Sequence, residues 1–279
     1  FEDFKNNIFD TLEFIAETAS IYTRSAILLN MAILNIIDKD RNVSLFKKLL
    51  HDYNPSLMSM PVHNHNPLVY FVNYAVEEII DFLRHASDCP ECYKEQVILI
   101  WLAWSHNNHH AESRKLLDKM CDNSEEARLS LLEFLYRLEN QLNHDAIEYI
   151  CHFMQPQFYS LSMSDQCDNI FHNMDTWSIK TQKLIAQTFV DSPVSGHRLH
   201  SFLEFLAGYA ITDPLQSLLW LKKVLSRKKP EDYDDWNQIT DVLLQSYNGI
   251  KAFNDNENKY VLEDAMDLMD LLMQSPENK

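Results

Sequence analysis

Asp145-Ala146-Ile147-Glu148-Tyr149-Ile150-Cys151-His152-Phe153-Met154 returns later in the chain as Asp264-Ala265-Met266-Asp267-Leu268-Met269-Asp270-Leu271-Leu272-Met273. Each copy sets a small Ala after an acid at a helix start, then apolar residues at helical spacing. Polar residues with a proline follow, Pro156 in one and Pro276 in the other. That is the pattern of the second helix in a helix–turn–helix repeat: the Ala admits a neighbouring helix and the apolar stripe closes the seam. A weaker third copy runs from Ala111 to Met120. Ala111 and Ala146 are 35 residues apart, near the period of a tetratricopeptide repeat. The expected fold is all-α: an α-solenoid of antiparallel helix pairs with tetratricopeptide-like repeats. A compact helical bundle is the alternative.

Working outward, amphipathic spacing predicts a helix over residues 3–19, and a nearly all-apolar one over 21–37. Val43 to Tyr53 forms a shorter piece. Between residues 54 and 67 lie Pro55, Pro61 and Pro67, which forbid a continuous helix. This divides the chain into N-terminal helices (1–53), a Pro-rich loop (54–67) and a repeat array (68–279). Asn66-Pro67 reads as a cap and first turn opening a helix to Ala86. Further helices are expected near 90–105, 111–120, 124–140, 143–154, 164–173, 175–190, 197–210, 215–226, 231–252 and 260–274. No stretch alternates long enough to be a strand.

The chain has 279 residues, 46% hydrophobic and 11% aromatic, which is ample for a continuous core. Three glycines are too few for Gly-rich phosphate loops or dinucleotide fingerprints. The formal charge of −17 repels phosphate backbones, so nucleic acid is not expected as a partner, while a basic protein surface fits. Five cysteines among aliphatics and no signal peptide point to a reducing, cytoplasmic setting. Val97 to Trp104, the longest apolar run, is too short for a bilayer, so no membrane is expected. The first residue is Phe, from which we expect a fragment of a longer protein.

For metal, the text offers Cys89 and Cys92 followed by His106, His109 and His110, one residue away from a zinc-finger spacing. An unbroken helix over 93–105 would hold the two halves ~20 Å apart at ~1.5 Å per residue, too far for one ion. His63 and His65 share the Pro-rich loop. Cys121, Cys151 and Cys167 lie on helices with no base placed beside them, as buried structural thiols do. Carboxylate pairs such as Glu77/Glu78, Glu125/Glu126 and Asp234/Asp235 read as solvated faces or helix starts. The basic cluster Lys222, Lys223, Arg227, Lys228 and Lys229 reads as a helix end followed by compensating acids. Trp101, Trp104, Trp177, Trp220 and Trp236 read as packing. No catalytic, cofactor-binding or metal-binding residue is assigned, and no cofactor is expected.

Thr212-Asp213-Pro214-Leu215-Gln216-Ser217-Leu218-Leu219-Trp220-Leu221, Trp236 to Tyr247, and Leu262 to Leu272 resemble the C-terminal helical repeats of bacterial STAND-type NTPases of antiviral defence. The likeness covers about a quarter of the chain. It implies a non-enzymatic sensor that binds an invader's protein, with a viral protein as partner and oligomerisation through other domains. No Walker motif is present, so ATP binding is not carried over. A helical adaptor for a host protein and an all-α metal-dependent enzyme are the alternatives.

Overall fold

The computed structural model describes residues 2–54, 56–57, 66–73, 75–86, 93–107, 109–138, 144–227, 236–252, 263 and 266. The Pro-rich loop with His63 and His65, Cys89, Cys92, Lys228, Lys229 and the second copy of the opening phrase lie outside these, except for an exposed Met266. The described residues form an all-α helical-repeat fold with no strand among them. None of these helices is long and apolar enough to cross a membrane.

Two compact units divide inside one helix, between Leu131 and Leu132. The first holds α1 (Glu2–Thr18), α2 (Ile21–Leu29), α3 (Met31–Ile37), α4 (Lys39–Leu49), α5 (Asn66–Val72), α6 (Val76–Ala86), α7 (Tyr93–His106), α8 (Ala111–Asn123) and the start of α9 (Glu125–Tyr136). The second continues with α10 (His144–Phe153), α11 (Leu161–Asn169), α12 (Ile179–Asp191), α13 (His200–Tyr209), α14 (Pro214–Leu225) and α15 (Trp236–Ala252). Short 3-10 turns at Pro156–Phe158, Ile170–Thr176 and Pro193–Gly196 lie between them.

Within the second unit the helices sort into two rows. α10 packs on α12 and α12 on α14, while α11 packs on α13 and α13 on α15. The first unit repeats the logic, with α3, α5 and α7 in one row and α6 and α8 in the other. Helix-on-next-but-one packing is what stacked helix pairs produce.

The period is visible in side chains as well. Several hydrogen bonds between successive repeats join residues 30 to 35 apart: Asn107 to the Val72 carbonyl, His110 to Glu77, Lys183 to Asp213, Trp220 to Gln187, Ser164 to the Val194 carbonyl and Lys223 to Asp191; others span 37 or 38. Ala146 is fully buried, as a close helix contact requires, whereas Ala111 is exposed and its copy of the phrase lacks that contact.

Two expected helices are broken, each where an asparagine captures a backbone carbonyl. The single helix over 21–37 divides at Asn30. There Asn30 Nδ2 donates to the Ala26 carbonyl, and Asn42 Nδ2 donates to the Met31 carbonyl. The helix over 66–86 divides after Val72, whose carbonyl accepts from Asn107 instead of from its own helix. Asparagine side chains compete with the helix ladder in this way because they carry amide donors of their own. Caps behave as expected: Ser124 accepts from the Ala127 N–H at 3.2 Å, and Asp213 accepts from the Gln216 N–H at 3.2 Å.

The first unit is tied by buried Arg24. Its side chain, 7% exposed, donates Nε and Nη2 to the Leu49 carbonyl at the end of α4 and forms a two-pronged pair with Asp52.

The second unit has one very close helix approach. A Cβ on Gly249 would lie 2.9 Å from both Cβ and Cγ of Pro214, where the pyrrolidine ring has little room to yield. Gly249→Ala is therefore expected to lower stability by about 1–2 kcal/mol, because the clash outweighs the better helix propensity of Ala. A variant melting at or above the parent temperature would show that α15 and α14 are not this close.

Candidate functional site

α11 does not stop at Asn169 but tightens into the 3-10 turn Ile170–Thr176. With three residues per turn, residues at i and i+3 share a face. Phe171 and Met174 accordingly enter the core, and His172 and Asp175 face outward. The sequence reading treated this stretch as ordinary helix and singled out neither outward residue.

The turn packs on α13, whose own pairs at i and i+4 complete the arrangement: Glu204 with Gly208, and Phe205 with Tyr209. Ile179 and Gln182 from α12 and Thr212 from the α13–α14 connection close a cleft of about 450 Å³. Its floor belongs to an aromatic stack in which Phe171 contacts Phe189, Phe202 and Phe205. Phe205 and Tyr209 are stacked at 5.4 Å, and Tyr209 lies 5.4 Å from Trp220.

The placement of α13 rests on Asp168. Leu199 precedes the helix and provides no side-chain cap. Asp168, fully buried on α11, takes that role from the neighbouring repeat, accepting the Ser201 and Phe202 N–H groups at 3.0 Å each. Burial pushes its carboxyl above the ordinary value, and the Phe202 and Ser201 donors and Arg198, 3.6 Å away, pull it back. These interactions set the angle of α13 and thereby where Glu204, Gly208 and Tyr209 stand.

Three side chains here have the outline of a nucleophilic triad. Ser201 Oγ lies 3.0 Å from His172 Nε2, and His172 Nδ1 lies 4.0 Å from Glu204 Oε2. The geometry does not support catalysis. Ser201 is 1% exposed, the His172–Glu204 separation is too long for a hydrogen bond, and the helix N–H groups that would stabilise an oxyanion are given to Asp168.

The electrostatics of the cleft are one-sided. Asp175 and Glu204 line it, and among the described residues no Lys or Arg does. Among the described residues the basic groups nearest Glu204 are histidines, with His200 Nε2 at 3.4 Å and His172 Nδ1 at 4.0 Å. Lys183 stands nearby but is held by Asp213 at 3.0 Å. Burial raises the Tyr209 phenol above its ordinary value, keeping it neutral.

The first unit carries a different opening, a groove of about 320 Å³ between α1, α2 and α3. Its walls, including Leu12, Ile15, Ile27 and Leu34, are almost wholly apolar. It therefore lacks the few placed polar groups that orient a ligand.

Other residues weighed from sequence have structural placements. His110 caps α8, its Nδ1 accepting from the Ser113 N–H at 3.3 Å, while Nε2 meets Glu77 at 2.9 Å. His109 sits at a positive φ of 61° with its ring against Trp104, and His106 ends α7 exposed. The three do not gather around one point. Cys121 and Cys167 are buried and Cys151 largely so, and burial pushes all three thiols up, which keeps them protonated and poorly nucleophilic. Lys223 pairs with Asp191, and Arg227 donates to the Ser192 carbonyl and Ser195 Oγ, so this part of the basic cluster joins helices. Trp101, Trp104, Trp177 and Trp220 are buried.

Among the described residues one trio has ligand atoms within 4.8 Å of one another: His144, Asp145 and Glu148, at the start of α10. Two of its members, Asp145 and Glu148, stand in the phrase quoted first and His144 directly precedes it, but the sequence reading did not weigh the trio. His144 and Glu148 are exposed, and the trio lines neither of the two clefts described above. Comparison with family models, curated proteins and solved structures finds no match to this chain.

Proposed function

We propose that this chain is a non-enzymatic protein-recognition module, the ligand-sensing helical-repeat region of an antiphage defence protein of the STAND type. The observation that supports recognition over catalysis is the character of the cleft on α12 and α13. It offers shape, aromatic walls and carboxylates with no Lys or Arg among the described lining residues, but its one serine–histidine pair is buried and its oxyanion donors are spent. The resemblance of Thr212–Leu221 and its flanking helices to defence-protein repeats supplies the biological setting, a cytoplasmic one that the protonated thiols suit. In this reading the chain binds a viral protein through many weak contacts concentrated on a few anchors, and other domains act on the result.

Affinity capture with this chain from phage-infected and uninfected bacterial lysates, with metal analysis of the same preparation, tests the reading. The expected result is a viral protein enriched only after infection and no stoichiometric metal. A host protein captured equally from both lysates would replace the sensor with an adaptor. Stoichiometric metal, traced to the His144 trio or to Cys89 and Cys92, would replace it with a metalloprotein.

A further inference from the structure

The polar atoms of the α12–α13 cleft are not a random sample of surface chemistry. Gln182 is 9% exposed, and its Nε2 donates to both the Met174 and Trp177 carbonyls at 2.8 and 2.9 Å. Those two bonds fix the orientation of the amide. They leave Oε1, with no donor among the described residues, as the remaining polar atom of a side chain that lines the cleft. Tyr209 is 5% exposed, and its hydroxyl makes no hydrogen bond among the described residues. Two otherwise largely buried side chains thus present an oriented amide oxygen and a phenol hydroxyl at one opening, where a ligand can take the place of water.

Asp175 and Glu204 add two carboxylates, with histidines beside Glu204 and no Lys or Arg among the described lining residues. A ligand matched to this set carries several N–H donors and a positive charge, and tolerates aromatic faces. Ammonium is compact and strongly hydrated. Guanidinium is planar, presents five donors in a fixed fork, and stacks on rings such as the half-buried Phe205. Gly208 stands among these groups, and a Cβ built there meets nothing within 4 Å, so the space beside it is open.

We propose that this cleft is the receptor for an arginine side chain in an exposed segment of the partner protein. The proposal deepens the recognition reading and rests on it for the source of the arginine. The carboxylates of Asp175 and Glu204 accept from the guanidinium, Gln182 Oε1 takes a further N–H, and the aromatic wall holds the plane of the group. Attraction between the acidic cleft and the basic segment weakens with added salt.

The test uses the full chain, 15N-labelled, and follows amide shifts in TROSY spectra. The probes are an acetylated, amidated Gly-Gly-Arg-Gly-Gly peptide, its citrulline counterpart, and spermidine. The arginine peptide is expected to shift Gly208 and Tyr209 saturably, and the citrulline peptide, equal in shape but uncharged, to bind about tenfold more weakly or worse. Asp175→Asn with Glu204→Gln should weaken the arginine peptide about tenfold. Gly208→Trp should abolish its binding while leaving shifts elsewhere in place, which also shows that the variant folds. Equal binding of arginine and citrulline peptides, spermidine matching the arginine peptide, or no saturable shift at millimolar peptide would each overturn the proposal. A viral protein still captured by the Asp175→Asn, Glu204→Gln variant would also overturn it while leaving the recognition reading intact. Saturable arginine binding without any captured protein would retain the site and sink the sensor reading.

Discussion

Asp168→Ala is expected to lower the stability of the second unit by about 3 kcal/mol and its melting temperature by on the order of 10 °C. Among the described residues the carboxylate is the only side-chain cap given to the first turn of α13, and it comes from a different repeat. Its removal strands two buried N–H donors, each costing about 1–3 kcal/mol. Part of that is offset because a buried carboxyl, itself unfavourable, disappears with it. Asp168→Asn should fall between parent and alanine variant, since its single oxygen can serve one N–H while its amide nitrogen faces the other. Hydrogen exchange adds a spatial readout: protection should fall across α13, with α1 to α4 unchanged. If Asp168→Ala melts with the parent, α13 is held by its apolar face alone and the cross-repeat cap is incidental.

Asp52→Ala should cost the first unit about 2–3 kcal/mol, more than Arg24→Met does. The asymmetry follows from burial. Arg24 is 7% exposed on its side chain and Asp52 is 40% exposed. Deleting the acid strands a cation inside the protein, the costly way to break such a pair. Deleting the cation releases a carboxylate that water can reach and leaves only the Leu49 carbonyl short of a donor. The figure is set below that of a fully buried pair because solvent already screens Asp52. Combining the two substitutions should recover part of the loss. Equal costs from the two single variants in denaturant titrations would refute this account.

The same pair sets an acid limit. Arg24 holds the Asp52 carboxyl at about 2, below its model-peptide value of 3.8. A depressed carboxyl contributes stability at pH values above its unfolded value, and that contribution is lost as pH falls through the folded one. Helicity of the first unit should accordingly weaken between about pH 4 and pH 2, and Arg24→Met should remove that component of the transition.

Much of the helix pattern could be read from residues, because caps and apolar periodicity are local. Asp213-Pro214 announces α14, Ser124 announces α9, and the buried Ala146 follows from the phrase that contains it. The breaks at Asn30 and after Val72 could not be read so directly. In the second case the asparagine responsible lies a full repeat away, and only packing brings Asn107 to the Val72 carbonyl. The cleft was hidden for a related reason. Asp175, Gln182, Glu204 and Tyr209 come from three different elements and form no motif. Their 3-10 and helical spacings are unremarkable until Asp168 fixes α13 over the turn. Histidine and cysteine text patterns drew the attention instead, and where the structure describes them they are caps, turns and core.

The cross-repeat hydrogen bonds, each spanning 30 to 35 residues, have a consequence for how the chain comes to be folded. Partners so near in sequence give a low contact order, which in helical proteins goes with fast folding. Among the described residues, the helices joined by these bonds do not wait for a distant one. At about 5–20 residues per second of synthesis, a helix pair leaves the ribosome only a few seconds before the pair that will cover it. Lys183 meets Asp213, and Gln187 meets Trp220, almost as soon as both exist. A chain built this way can condense from its first repeat onward, with little time for an uncovered apolar stripe to find the wrong neighbour.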